Sequence, residues 1–254
     1  MSKVLLPYAF SALALGFLLW LANQLLGSGL APGPLAVMEA WKELALSGEL
    51  FRELGITVLR GLTGVLLANL AGIALGLAAG LIPALLRLTA PLVAALQSCP
   101  PVVWISLVMV WAGTGSAVPI ATVFAATLPF AFSTTAQGIM GLNPRIFAMS
   151  KLYGVPRRRQ LGRFILPGIL PGWLGGFSAV LSAGWKSAAV AEFLGSHQGI
   201  GAKIFWSYHK LDMEALNAWA LTLIVLGVIL ETAVITPLRR KAAQLESRGA
   251  SRNV

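Results

Sequence analysis

Ionisable side chains set within apolar sequence are where a chain like this one could do chemistry or guide a solute, and there are few of them. Lys186 lies in Gly184-Trp185-Lys186-Ser187 inside an apolar run, and Glu231 lies inside another. A charge at the centre of a bilayer costs about 2.5–3.5 kcal/mol on insertion scales, so each should face protein or water. Lys186 is a candidate to attract an anionic solute along a pathway. The alternatives are an ion pair with Glu231, or snorkelling of its ammonium group to the outer interface. Glu231 is then either the partner of Lys186 or an acceptor in helix packing, and Arg60 reads as an anchor at the outer interface. Catalysis finds no constellation. His197 and His209 lack a nearby ligand set of familiar spacing, and Ser182 and Ser187 lack an adjacent base signature. There is no GxxxxGK[ST] phosphate loop.

The elements that must position these residues are membrane helices. Of 254 residues 57% are hydrophobic and 11% charged, with mean hydropathy +0.80. Soluble domains carry about 25% charged residues. A net charge of +10 raises the question of nucleic acid. The cations instead sit in short loops beside apolar stretches, with no aromatic-interleaved basic groove, which excludes a nucleic-acid partner and points to membrane orientation. Cys99 is the single cysteine, so no internal disulfide or cysteine metal cluster forms; it reads as a small packing residue.

A span needs about 20 apolar residues. Six are predicted, at about 4–26, 56–82, 89–112, 117–141, 163–190 and 214–237, making one transmembrane domain over 1–254 with a core at 56–240 and a tail at 241–254. The run after Lys3 exceeds a signal-peptide core and reads as a retained first span. With the N-terminus inside, 13 of 19 basic residues fall on the cytoplasmic side, among them Arg87, Arg145, Lys151, Arg157, Arg158, Arg159 and Arg163. Seven of nine acidic residues, including Glu49, Glu53 and Glu192, fall outside or at the outer edge. Both termini are thus expected in the cytoplasm.

Residues 35–54 form an amphipathic segment, with Val37, Met38, Trp41, Leu44 and Ala45 opposite Glu39, Lys42 and Glu43. It either lies on the outer membrane surface with Trp41 at headgroup level, or packs on the outer ends of the spans. In the second span, positions 61, 64, 68, 72, 76 and 79 carry small residues on one face, which lets another helix approach closely. Pro100-Pro101 and Pro129 remove backbone donors within spans, as a bend around a pathway or as a static packing kink.

The long basic interruption, Asn143–Pro171, encodes its own short helix and turn. Asn143 can accept a hydrogen bond from the first turn and Pro144 suits the first helical position. Gly154 suits the left-handed residue that ends a helix, and Pro156 discourages continuation. The two to three turns between would be marginal alone in water, so a separate protein is expected to hold them. Arg157, Arg158, Arg159 and Arg163 anchor the following span, contacting lipid phosphates or that protein.

This run resembles the cytoplasmic signature of ABC importer permeases, an EAA triplet, a Gly four positions beyond it and a hydrophobic-Leu-Pro ending. Ala148-Met149-Ser150, Gly154 and Phe164-Ile165-Leu166-Pro167 hold those places. The nitrate/sulfonate/taurine type is the most similar, over roughly 32–240. Ser47-Gly48-Glu49-Leu50, Leu59-Arg60-Gly61-Leu62, Cys99-Pro100-Pro101-Val102-Val103-Trp104-Ile105, Leu166-Pro167-Gly168-Ile169-Leu170-Pro171 and Ala191-Glu192-Phe193-Leu194-Gly195 add support through their order and spacing. The signature's Glu is replaced by Ala148, which removes a polar contact at the joint. The resemblance implies an all-α, six-span type I importer permease in the bacterial cytoplasmic membrane that is not itself an enzyme. It implies two copies of the chain, two ATPase subunits that hold the ATP and Mg, and an outer binding protein that delivers a small solute such as a sulfonate, nitrate or bicarbonate. Docking to the ATPase would fall to Arg145, Ala148, Met149, Ser150, Lys151, Tyr153, Gly154, Val155, Arg157, Arg158, Leu166 and Pro167. Pathway candidates are Pro100, Pro101, Trp104, Lys186, Glu192 and Glu231. The rival readings are an ion-coupled secondary transporter, which would need more membrane carboxylates, and a lipid-modifying enzyme, which would need clustered Asp and His.

Overall fold

The computed structural model describes residues 16–17, 20–21, 23–25, 27 and 29–250, so most of the expected first span at 4–26 lies outside the described residues. Among the described residues every regular element is helical. The short elements are α1 (Pro34–Leu46), α3 (Pro83–Ser98), α4 (Pro101–Ala112), α6 (Pro144–Leu152) and α8 (Ile200–His209). Among the described residues four helices are long and apolar enough to cross a membrane: α2 (Glu49–Leu81), α5 (Ala117–Met140), α7 (Arg157–Gly195) and α9, which satisfies the criterion over Met213–Leu245 and continues to Ala250. Both α7 and α9 contain a π-helical turn, at Leu161–Ile165 and Glu231–Ile235.

The third expected span is not one straight helix. Pro100 and Pro101 supply no N–H to the carbonyls of Leu96 and Gln97, and each proline drives the residue before it out of the helical region. Cys99 (φ −77°, ψ 120°) and Pro100 (φ −61°, ψ 143°) are extended, and α3 meets α4 at a bend of 93°. At ~1.5 Å per residue the arms are about 24 and 18 Å long, and a chevron sharing that bend spans about 30 Å, one hydrocarbon thickness. By length and composition the pair is therefore sufficient for one bent crossing with a lateral apex.

The core sits where α2, α5 and α7 meet. Gly61, Gly64, Ala68, Gly72, Gly76 and Ala79 are all buried, and the partner that this small-residue face admits is chiefly α5. A Cβ on Gly72 would lie 2.5 Å from the Ala131 Cβ and 2.9 Å from the Phe132 backbone N; one on Gly76 would lie 2.7 Å from the Phe132 carbonyl oxygen. Backbone cannot step aside as a side-chain tip can. Gly72→Val is therefore expected to destabilise the protein by at least the ~1–3 kcal/mol typical of overpacking, read as a lowered unfolding temperature in detergent. An unchanged temperature would mean that the two helices can part at no cost.

The amphipathic segment is corrected in extent. It ends at Leu46, Gly48 takes a left-handed turn (φ +77°), and Glu49–Leu54 already belongs to α2. Of its two expected placements the structure shows packing on the helix ends. The Trp41 indole N–H donates to Thr222 Oγ1 of α9 at 3.1 Å, and Leu44 packs against the cluster around Trp219 and Ile200.

Candidate functional site

At one end of the bundle, α6 forms an elbow between α5 and α7. Asn143 Oδ1 accepts from the Arg145 N–H at 3.0 Å, and Gly154 closes the turn at φ +63°. Around that turn the Val155 N–H donates to the Ser150 carbonyl at 2.9 Å, and the Gln160 side-chain amide donates to the Val155 carbonyl at 2.7 Å. Phe147 seats α6 on the bundle against Ile139, Ile165 and Ile169, and Ser150 is buried beside it. The rest of the elbow faces outward. Met149 is 60% exposed, Leu152 83% and Tyr153 75%. Arg145, Ala148, Arg157, Arg158, Leu166 and Pro167 are exposed as well, with Val155 half-buried and Lys151 on the same short helix. An apolar patch rimmed by arginines marks an interaction site, with protein or with membrane.

At the opposite end lies a buried polar lock that the sequence reading missed. Arg60 is 5% exposed and Glu192 0%. The Arg60 guanidinium donates to Glu192 Oε1 (3.1 Å), Ser196 Oγ (3.0 Å), the Gln198 carbonyl (2.7 Å) and Ser116 Oγ (2.7 Å). Thr57 donates to Glu192 Oε2 at 2.7 Å and accepts from the Ile200 N–H at 2.9 Å. The Gly199 N–H donates to Glu53 Oε2 at 2.6 Å and the Gly201 N–H to Glu192 Oε2 at 3.3 Å. Two carboxylates thus occupy the N-terminus of α8, where the helix dipole and free N–H groups favour negative charge. Lys203 closes the rim on Glu49, and Arg52 pairs with Glu53 at 2.9 Å. Arg60 is therefore a buried cross-link between α2, the end of α7 and the loops at Ser116 and Gln198, not an interfacial anchor. One signal in the sequence could have found the lock. Gly199 and Gly201 flank Ile200, and the backbone there passes so close to Glu192 that a Cβ on Gly199 (φ +99°) would lie 2.3 Å from its carboxylate.

The remaining pathway candidates are dispersed. Pro100 and Pro101 are exposed at the bend, and Trp104 is half-buried, its indole N–H without a partner among the described residues. Lys186 is exposed on α7, its ammonium 5.9 Å from the ring centre of Trp185. The Lys186–Glu231 pair, one of the alternatives for Lys186, is not formed. Glu231 accepts instead from Arg239 Nη1 at 3.2 Å, and Arg239 also donates to Ser178 at 3.3 Å. The cause is geometric: Glu231 opens a π-helical turn and Arg239 follows two turns later on the same helix. Among the described residues no group of His, Cys, Asp and Glu could hold a metal ion.

Residues 68–238 match the family of binding-protein-dependent transport system inner membrane components. The chain belongs to that family. It is 30% identical over 229 residues to the aliphatic sulfonates transport permease protein SsuC of Escherichia coli, covering 90% of this chain and 82% of the relative. With the SsuC protein of Bacillus subtilis it shares 27% identity, covering 80% and 74%. With the taurine transport system permease protein TauC of Escherichia coli the identity is 26%, covering 85% and 81%. Among solved structures, an inward-facing form of the MetNI methionine ABC transporter matches with a TM-score of 0.59 at 18% identity, covering 77% of this chain and 94% of that one. The all-helical fold of this multi-pass membrane permease is thus that of the importer permeases, in agreement with the resemblance carried by the Asn143–Pro171 signature.

Proposed function

We propose that the permease moves a small anion, such as nitrate or a sulfonate of the kind that its relatives are named for, from an outer binding protein into the cell. Two copies would enclose the pathway, and two ATPase subunits would hold ATP and Mg and dock on α6 and its flanking arginines. The elbow would then lie in the cytoplasm, as would both termini, which agrees with the Lys/Arg bias of the loops. The observation that carries this reading is the exposed Met149, Leu152 and Tyr153 patch on a helix seated by Phe147. Closure of the ATPase pair on ATP would swing the elbow, and the buried cross-links would pass the motion on as a rigid-body change. Such a swing needs a difference in binding energy between the two states, which ATP supplies through the partner.

The test is affinity purification of the tagged permease with its candidate ATPase, which should come down in equal numbers. Solute uptake that persists without any ATPase would instead favour an ion-coupled transporter. Lys186, exposed and without an ion-pair partner among the described residues, is proposed to attract the solute from the pathway wall. Lys186→Ala is expected to lower uptake of the anion severalfold while ATPase association stays intact; normal uptake would remove Lys186 from the pathway.

A further inference from the structure

The bend in the α3–α4 span leaves polar groups where hydrocarbon cannot satisfy them. With Pro100 and Pro101 in place, the Gln97 carbonyl has no helical donor four residues on, and Leu96 retains only the Cys99 N–H at 3.3 Å. Non-helical backbone at membrane depth persists only where protein buries it or water reaches it. Among the described residues of a single chain nothing buries it: Ser98, Pro100 and Pro101 are exposed, Cys99 is half-exposed, and α3 contains no buried residue.

A groove of about 300 Å³ runs between α3 and α5, starting at Gln97, two residues before the extended Cys99. It reaches Leu86, near the start of α3, and Met140, at the end of α5 that adjoins the elbow. Its polar groups are Gln97, Ser133 and Gln137, and no charged side chain lines it. The Gln97 amide donates to the Pro129 carbonyl at 3.1 Å and to Ser133 Oγ at 2.9 Å, while Gln137 is exposed with no side-chain partner among the described residues. So the two proline-disturbed helices face each other across it, and an amide joins them at its deep end.

We propose that this groove is the wet half-channel through which the solute leaves toward the elbow side, and that Gln97, Ser133 and Gln137 are its contacts. Neutral donors and acceptors suit a small hydrophilic solute that must be held loosely; a fixed countercharge at the exit would retain an anion. Selection here is by size and hydrogen bonding. The inference rests on the importer reading for the direction of travel, and on the bend and groove for the water.

Cys99, the chain's single cysteine, sits at the apex and serves as a native reporter. In inside-out membrane vesicles containing the full-length chain, a charged, membrane-impermeant methanethiosulfonate should modify Cys99. Ser133→Cys, made together with Cys99→Ser, should react similarly, and both at least tenfold faster than Leu70→Cys in the same background, a position on an exposed apolar face of α2. Cys99 reacting no faster than that position would place the bend in lipid and overturn the proposal. Exclusion of the reagent together with a short bismaleimide joining Cys99 of two chains would overturn it in favour of a subunit interface. A reactive Cys99 with an unreactive Ser133→Cys would overturn the groove. Rapid labelling in a chain that binds no ATPase would keep the half-channel and sink the importer reading alone.

Discussion

Arg60→Ala is expected to destabilise the folded permease by about 3–5 kcal/mol, the range seen when one partner of a buried ion pair is removed. Glu192 would remain fully enclosed, held by Thr57 and the Gly201 N–H but facing no cation. Ser116 and the Gln198 carbonyl would each lose the guanidinium as donor. Lysine should rescue only in part, because one ammonium has three donors and lacks the planar fork that reaches four separate acceptors. The informative comparison is a double-mutant cycle of Arg60→Met with Glu192→Leu, followed by thermal unfolding in detergent. The double variant should lose less than the two single losses added together, since removing both charges leaves neither stranded. Additive losses, or a Glu192→Leu protein as stable as the original, would show that the pair is not coupled. A second readout follows from the connectivity. The lock joins α2 to the start of α8, so protease sensitivity in the Ser196–Gly201 loop should rise with the loss of Arg60.

The lock also shows where sequence reading runs out. Arg60 stands in Leu59-Arg60-Gly61-Leu62, and a cation near the outer end of an apolar span ordinarily snorkels. Nothing in local spacing says that Glu192, far along the chain, will arrive beside it; that requires the crossing of α2 and α7. The same holds for Glu231. Its place within an apolar run was legible but its partner was not, because pairing with Arg239 depends on a π-helical turn that hydropathy does not encode. Several features fixed by local chemistry were legible. Asn143, Pro144, Gly154 and Pro156 delimit α6, and the Gly/Ala face of α2 finds a close neighbour. The bend at Pro100-Pro101 lies between these cases. Two missing donors announce a break, but the angle of 93° depends on how α4 packs against Val118 and Ala191.

Gly154→Arg is expected to abolish recovery of the ATPase with the permease, a fall of at least tenfold, while the permease itself still folds. The two halves of that expectation have separate grounds. A Cβ at Gly154 would meet nothing within 4 Å, so there is room for a side chain and no core to disrupt. The backbone there is left-handed, at φ +63°, which costs a non-glycine residue roughly 1–2 kcal/mol. That strain falls on the turn that fixes how α6 presents Met149, Leu152 and Tyr153, and it is relieved most easily by unwinding the last turn of α6. A long cation is added at the same point, beside Arg157 and Arg158, where a cleft shaped for the native elbow would have to accommodate it. Gly154→Ala separates the two effects, since it carries the backbone strain without the bulk or charge. It should weaken association by less than the arginine variant, and Gly154→Asn, which tolerates the left-handed region better, by less still. Equal unfolding temperatures for the three variants, alongside graded loss of the ATPase, would place the effect at the joint; retention of the ATPase by Gly154→Arg would remove the elbow from it.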